Sequence, residues 1–303
     1  MNLNEQLGYA AGDRLLIINA DDFGMCHSVN VAVQRLLSEG AVSSSTIMMP
    51  CPWSKEAVEW SARHPDCDVG VHLTFTSEWE HYKWGPVNRH GPVDSLITDE
   101  GWFPADCLTF EQQAREDQVR AEIIRQIERA KALGLEPSHL DNHMGSLYGL
   151  ARGRDFLQTV LELCAQYGLP FRLPRRLPER QQIPAEMAGK AGQVGAFADA
   201  LGVVIIDDLV SLPFGVQEGE TYESFKRDMI ALLRGLKPGV NELYIHPALV
   251  TEELKAINPH WAKRGWEYDI FLDRDVRTEI REEGIRLIHW KQLKQLQERK
   301  GQA

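Results

Sequence analysis

Two adjacent aspartates follow an apolar run near the start of the chain. The run occupies residues 14–20 of RLLIINADDFG, and the aspartates are Asp21 and Asp22. Burying a carboxylate beside an apolar strand costs free energy unless another group compensates its charge. A divalent cation would do so, because it binds carboxylate oxygens and activates water for hydrolysis. The alternative is that the two aspartates only begin the next helix, whose first backbone amides donate hydrogen bonds to Asp side chains.

Histidine and aspartate recur on later predicted strands. His72 lies in DVGVHLTF, His139, Asp141 and His143 lie in SHLDNH, and His246 lies in ELYIHPAL. The carboxyl ends of parallel strands meet at one edge of a sheet, where the active sites of α/β folds lie. Clustered His and Asp side chains at this edge are typical of a divalent metal site. A lone histidine is more often a core residue, so the inference depends on several strands delivering such residues together.

Strand geometry limits which histidines can share one ion. Residues 139, 141 and 143 alternate onto one face, and an extended chain at roughly 3.3 Å per residue separates His139 from His143 by about 13 Å. Metal–imidazole bonds are roughly 2 Å long, so one ion cannot hold both side chains unless the chain turns between them. His143, nearer the carboxyl end of the strand, is the better candidate ligand. We expect His139 and Asp141 to orient the ligands or to contact substrate.

Strand-like apolar runs alternate with helical patterns along the whole chain. Helical periodicity is clear in residues 28–40 and in residues 111–134. This alternation predicts an α/β fold with a parallel sheet, and about eight such units in 303 residues favour a TIM-type (β/α) barrel in a single domain. An open doubly wound sheet is the alternative. The predicted strands are 14–20, 41–49, 68–75, 138–143, 169–173, 203–210, 242–249 and 285–290.

Three segments fall outside this alternation. Residues 1–13 are an N-terminal extension, residues 76–110 a long insertion, and residues 250–270 a second long connection. Long loops in a compact domain are usually functional, so we expect the insertion to lie near the active site. Asp207 and Asp208, at the end of another predicted strand, are interpreted as structural residues.

The composition excludes several classes of partner. The chain has 33 Lys and Arg residues against 44 Asp and Glu residues, a formal charge of −11 that repels nucleic acids and anionic membranes. It contains no apolar run long enough to span a bilayer, and its polar start, MNLNEQLGYAAGDR, lacks the pattern of a signal peptide. We therefore expect a cytoplasmic protein that binds neither nucleic acid nor membrane. Its five cysteines are odd in number and unclustered, which predicts reduced thiols.

Four motifs together resemble a known family. NADDFG, GVHL, SHLDNH and IHPA occur in this order over about residues 14–290. In order and spacing they resemble the YdjC-like carbohydrate deacetylases, which include the chitooligosaccharide deacetylase and hopanoid-associated proteins. The resemblance implies a distorted TIM-like barrel that holds one divalent metal ion. It also implies hydrolysis of the N-acetyl group of an amino sugar or short acetylated oligosaccharide.

The resemblance also implies a role for individual residues. Asp22, His72 and His143 match the family's metal ligands, Asp21 matches its catalytic base, and His246 matches the histidine assigned as general acid. Two histidines and one aspartate suit zinc. Mixed nitrogen and oxygen ligands also suit magnesium, and they tolerate manganese, cobalt or nickel.

Other side chains are candidates for substrate contact. Trp79, Trp84 and Trp102 in the insertion would either stack on a sugar ring or pack the loop onto the barrel. Arg172 lies near the end of the fifth predicted strand, where a solvated loop is the default interpretation. Because it alternates with apolar neighbours in LPFRL, the alternative is that it points into the barrel mouth and either braces Asp21 or binds substrate. The sequence departs from the chitooligosaccharide deacetylases after SHLDNH, where it reads HMGSLYG, and this leaves the exact sugar open.

Two other classes of function remain open at this stage. One is a metal-dependent phosphoesterase or cyclic amidohydrolase on a similar barrel. Such enzymes often use a histidine pair on the first strand or two metal ions, whereas this first strand ends in two aspartates. The other is a barrel that binds sugar without catalysis, although both the base and the acid are present. Homodimerisation is compatible with such a barrel, and no sequence feature indicates it.

Overall fold

The computed structural model describes residues 2–176 and 185–301, and its centre is a parallel β-sheet. The strands pair in the order β6-β5-β4-β3-β2-β1-β8-β7, and the short β9 pairs with the first half of β1. The strands are β1 (Arg14–Phe23), β2 (Ser44–Ile47), β3 (Val69–Leu73), β4 (Leu140–Asn142), β5 (Phe171–Pro174), β6 (Ile205–Ile206), β7 (Asp208–Val210), β8 (Gly239–Ile245) and β9 (Arg286–Leu287).

A single stretch of chain joins the two ends of this sheet. β6 pairs with β5, β7 pairs with β8, and only Asp207 separates β6 from β7. The backbone amide of Asp207 donates to the carbonyl of Val240 (2.9 Å), and its carboxylate accepts from the amide of Val240 (2.8 Å). The sheet is therefore a nearly closed barrel in a single domain, which confirms the predicted TIM-like fold over the open sheet. Asp207 has the structural role that was expected of it.

Helices surround the barrel. Two sequence interpretations differ from the structure here. The pattern at 111–134 is divided between α4 (Cys107–Gln113) and α5 (Glu116–Ala132), because Ala114 and Arg115 between them have extended backbone conformations. Residues 250–270 were interpreted as a loop, and this was wrong, since they contain α9 and α10. The helices are α1 (Leu3–Gln6), α2 (His27–Ser38), α3 (Ser54–Arg63), α4 (Cys107–Gln113), α5 (Glu116–Ala132), α6 (Leu157–Tyr167), α7 (Ala185–Ala200), α8 (Tyr222–Arg234), α9 (Glu252–Ile257), α10 (Trp261–Ile270), α11 (Arg274–Glu282) and α12 (Trp290–Gly301).

None of the helices in the described part of the chain has the length and apolarity needed to cross a lipid bilayer.

The interior of the barrel changes from apolar to polar along its axis. In β1, Leu15 and Ile17 pack with Trp290 of α12, which fills the amino-terminal end of the barrel. The next residues on the same face, Asn19 and Asp21, are polar and hydrogen bond to each other (2.7 Å). Side chains alternate along a strand, so this one sequence pattern builds an apolar base and a polar mouth.

The close packing of the barrel interior predicts that Gly70 of β3 has no room for a side chain. A Cβ atom there would lie 2.5 Å from the carbonyl oxygen of His139, a backbone atom that cannot move without disturbing β4. We expect Gly70→Ala to lower the free energy of unfolding by about 1–3 kcal/mol, measured by urea denaturation. Gly12→Ala is the control, because a Cβ atom at Gly12 meets nothing within 4 Å. Equal unfolding midpoints for the two variants would contradict this account.

Candidate active site

The two aspartates at the end of β1 face the same histidine. Consecutive side chains of a regular strand point to opposite faces, yet His72 Nε2 lies 4.0 Å from Asp21 Oδ2 and 3.6 Å from Asp22 Oδ1. This arrangement accompanies a φ of 66° at Asp22, in the left-handed region that non-glycine residues seldom adopt. Backbone strain of this kind clusters at functional sites. Both carboxylates are buried, with 3% and 0% of their residues exposed.

Asp22 forms a compact group with two histidines. Its Oδ1 lies 3.6 Å from His72 Nε2 and 3.3 Å from His143 Nδ1, and one ligand atom of each residue lies within 4.8 Å of the others. Asp22 Oδ1 is buried and has no hydrogen-bond partner. A buried carboxylate oxygen without a partner is costly, and two imidazole nitrogens beside it complete a donor set for a divalent cation. The residues present therefore fit a metal ion.

The extended strand β4 separates the two histidines of SHLDNH, and the chain turns sharply after it. His143 begins a 3₁₀ turn in which Met144 has a φ of 55°, and this turn brings His143 to Asp22. His139 precedes β4 and stacks on Trp290 deep in the barrel, with the two ring centroids 4.5 Å apart. The structure thus places His143, and not His139, beside Asp22. His139 is fully buried, so it lies away from any position that a substrate would reach.

Charged neighbours hold Asp22 and His143 in place. Arg264 of α10 donates to Asp22 Oδ2 (2.6 Å). Burial alone would raise the pKa of Asp22, but Arg264 and the neighbouring His143 and His246 together outweigh it and hold that pKa well below its usual range. Burial alone would lower the pKa of His143, yet the carboxylates of Glu78 and Asp22 raise it to about 10. In the absence of a cation, a proton on His143 therefore compensates the two carboxylates, and metal binding would release it.

Asp21 is held by a buried guanidinium. Arg172 of β5 donates through both terminal nitrogens to Asp21, at 2.8 and 2.7 Å, and Asn19 adds a third hydrogen bond of 2.7 Å. Burial would raise the pKa of Asp21, but the ion pair with Arg172 outweighs it and lowers the pKa to about 2. Asp21 is therefore ionised at any physiological pH. Arg172 is 3% exposed and braces Asp21, one of the two roles considered for it.

A second acidic group in the same layer is already paired. Asp21, His72 and Asp141 also lie within 4.8 Å of one another. His72 Nδ1, however, is 2.7 Å from Asp141 Oδ1, and Arg172 Nη1 is 2.9 Å from Asp141 Oδ2. A cation there would have to displace the guanidinium. Within residues 2–176 and 185–301, the group of Asp22, His72 and His143 is therefore the better site for an ion.

His246 lies where β8 ends, next to the same layer. Its side chain is 15% exposed, and its ring contacts the rings of Phe214 and Tyr244. Its backbone amide donates to Glu267 (2.8 Å), whose carboxylate is 3.8 Å from the ring Nδ1. Burial lowers the pKa of His246 to about 4, despite the opposing effect of Asp22 and Asp21. The imidazole is therefore neutral at neutral pH.

The three tryptophans of the insertion occupy different environments. Trp84 is buried beside His143, with ring centroids 6.2 Å apart, and its indole donates to the carbonyl of Thr76 (2.8 Å), so it packs the loop onto the barrel. Trp79 is 7% exposed and contacts the ring of His260. Trp102 is 40% exposed.

Four residues of this layer were not found by the sequence analysis. Glu242 could have been found, since it alternates with Tyr244 and His246 along β8 and therefore shares their face. Arg264 and Glu267 lie in the segment that was interpreted as a loop, and Glu78 lies in the insertion, where no periodicity exists. The four are Glu78, Glu242, Arg264 and Glu267.

A model of the family described as YdjC-like protein matches residues 15–282, most of the chain. The chain belongs to the YdjC-like family. The match confirms the resemblance drawn from the four motifs.

Relatives of this YdjC-like protein cover almost all of its length. It is 29% identical over 281 residues to a carbohydrate deacetylase of Thermoanaerobacter pseudethanolicus, across 93% of this chain and 100% of the relative. It is 30% identical over 282 residues to a carbohydrate deacetylase of Thermus thermophilus, across 93% of this chain and 95% of that one. A solved structure from Enterococcus faecalis V583, named for cellobiose-phosphate cleavage, matches with a TM-score of 0.72 and 26% identity, across 93% and 99% of the two chains.

The buried ion pairs of the YdjC-like barrel predict a large loss of folding stability when Arg172 is replaced. Arg172→Met would leave the buried carboxylates around it without a cation, so we expect the free energy of unfolding to fall by about 3–5 kcal/mol. Arg175→Met is the matched control, because Arg175 pairs with Asp199 at the surface, where an ion pair contributes about 0–1 kcal/mol. The measurement is urea unfolding of both variants at pH 7. A loss of stability at Arg172 no larger than at Arg175 would disprove the buried network.

Proposed function

We propose that this protein is a metal-dependent carbohydrate deacetylase that hydrolyses the N-acetyl group of an amino sugar or short acetylated oligosaccharide. The observation that carries the proposal is the ionised Asp21 next to the group of Asp22, His72 and His143. The two relatives named carbohydrate deacetylase support the same activity.

Asp22, His72 and His143 would hold the ion. When bound, a divalent ion supplies a Lewis acid that polarises the acetyl carbonyl and lowers the pKa of water. Neighbouring side chains orient these ligands. Arg264 donates a hydrogen bond to Oδ2 of Asp22, and Asp141 hydrogen bonds to Nδ1 of His72. Oδ1 and Nε2 are thereby left facing each other. We propose zinc or magnesium as the ion: two imidazoles and one carboxylate suit zinc, and mixed nitrogen and oxygen ligands tolerate magnesium, manganese, cobalt or nickel.

Asp21 would act as the general base. It must be ionised to accept a proton from the attacking water, and Arg172 keeps it so. The same guanidinium fixes its orientation, because both carboxylate oxygens are held. A base with so low a pKa is weak, and it accepts the proton readily only where the acidity of the water is raised as well.

His246 would protonate the leaving amine. Amine departure requires a proton on nitrogen, and an imidazolium with a pKa near 4 is a strong donor. Because His246 is neutral before reaction, it must gain that proton during the cycle. Its partial exposure at the end of β8 makes it accessible to substrate. The presence of both base and acid beside the ligands disfavours a barrel that only binds sugar.

The assigned base predicts that hydrolysis and metal binding are separable. Asp21→Asn should lower kcat/KM for acetate release from diacetylchitobiose by about 10²–10⁴-fold, because the proton acceptor is lost, while zinc affinity stays near the wild-type value. The control Asp22→Asn should weaken zinc binding and hydrolysis together. Turnover by Asp21→Asn at the wild-type rate would rule out this base.

Of the two groups of possible ligands among the described residues, only that of Asp22, His72 and His143 leaves room for a cation, which predicts one metal ion per chain. Treatment with a chelator should abolish acetate release, and adding back zinc or magnesium should restore it. Metal analysis of the active protein should give about one equivalent, since Arg172 is paired with the carboxylates of the second acidic group. Two equivalents would instead favour a two-metal phosphoesterase or cyclic amidohydrolase. Full activity after complete metal removal would disprove the proposed function.

A further inference from the structure

Each histidine beside Asp22 has a carboxylate on the nitrogen that faces away from the ligand group. His72 directs Nε2 toward Asp22, and its Nδ1 lies 2.7 Å from Asp141. His143 directs Nδ1 toward Asp22, and its Nε2 lies 3.0 Å from Glu78. The two rings use opposite nitrogens, and each is held from behind by an acid. Asp141 belongs to the barrel, whereas Glu78 belongs to the insertion at 76–110.

The contact with Glu78 specifies the orientation of the His143 ring. Rotating the ring by half a turn would exchange each nitrogen for a carbon and would lose the contacts to both Asp22 and Glu78. A carboxylate accepts a hydrogen bond but cannot donate one when ionised. The Nε2 proton therefore points to Glu78, and Nδ1 is the nitrogen that would give up its proton and offer its lone pair to a cation beside Asp22.

The chain around Glu78 is fixed independently of His143. The amide of Ser77 donates to the carbonyl of Pro104 (2.8 Å), and the hydroxyl of Ser77 accepts from the amide of Trp84 (3.1 Å). Lys83 donates to the carbonyl of Ser77 (2.7 Å). Because these bonds hold the residue before Glu78, the carboxylate reaches His143 from an anchored backbone. Its side chain is 16% exposed, and that of His143 is 6% exposed.

We propose that Glu78 is a positioning residue of the metal site, which accepts a hydrogen bond from His143 Nε2 and so holds Nδ1 toward the ion. This inference rests on the proposed function, since it assumes an ion at Asp22, His72 and His143. It makes the insertion at 76–110 a structural part of the metal site. A carboxylate behind a ligating histidine also increases the basicity of the nitrogen that binds the metal.

The test compares zinc affinity in full-length variants by competition with a chromophoric chelator. Glu78→Gln keeps the size of the side chain and removes its charge, and it should weaken zinc binding by about 10–100-fold. Glu80→Gln is the matched control, two residues further along the same loop, where the side chain is 87% exposed and pairs only weakly with the exposed His81. Its zinc affinity should stay within about two-fold of the wild-type value, the change expected of an exposed side chain.

The visible spectrum of the cobalt-substituted protein separates positioning from direct ligation. At saturating cobalt, Glu78→Gln should keep the wild-type band positions, because the ligands are unchanged, whereas His143→Ala should shift them. A shifted spectrum in Glu78→Gln would make Glu78 a ligand and overturn the inference, as would zinc affinity equal to that of the wild type. In either case the wild-type protein would still bind zinc and release acetate. Failure of the wild-type protein to do so would instead contradict the proposed function.

Discussion

Arg172 lies inside the barrel among carboxylates from three other strands, and the polar layer is organised around it. It pairs with Asp21 of β1, Asp141 of β4 and Glu242 of β8, all within 2.9 Å, so one side chain joins four strands. Three ionised carboxylates around one cation would leave excess negative charge. Burial raises the pKa of Glu242 to about 7, so a proton on Glu242 reduces that charge. The arginine that keeps Asp21 ionised therefore also holds the barrel mouth together.

The polar layer around Arg172 has apolar side chains on one side and the group of Asp22, His72 and His143 on the other. Below it, Trp290 and apolar side chains close the barrel, so water is excluded from one side of the charged groups. Above it, the φ of 66° at Asp22 turns the second carboxylate toward the histidines. The energetic cost of that backbone conformation is offset because Arg264 binds the carboxylate that results. Fold stability and site geometry thus depend on the same few contacts.

Elements outside the barrel strands also contribute residues to the site. The strands contribute Asp22 and His72, and the turn after β4 contributes His143, but α10 supplies Arg264 and Glu267 and the insertion supplies Glu78. Arg264 and Glu78 form hydrogen bonds with those atoms of Asp22 and His143 that point away from the ligand group. In this barrel the strands orient Asp21 and His72 through Arg172 and Asp141. Asp22 and His143 are oriented by segments that lie outside the regular alternation of strand and helix.

The sequence by itself determined the features that depend on local geometry. Alternation along LPFRL made Arg172 a candidate for the barrel mouth, and the length of an extended strand separated His143 from His139, because both follow from fixed backbone dimensions. Parallel strands with polar ends predicted where the site lies. Only the tertiary structure decided the contact between Asp22 and Arg264, 242 residues apart, and that between Glu78 and His143. No periodic pattern encodes such contacts, since they depend on how helices and loops pack after the barrel has closed.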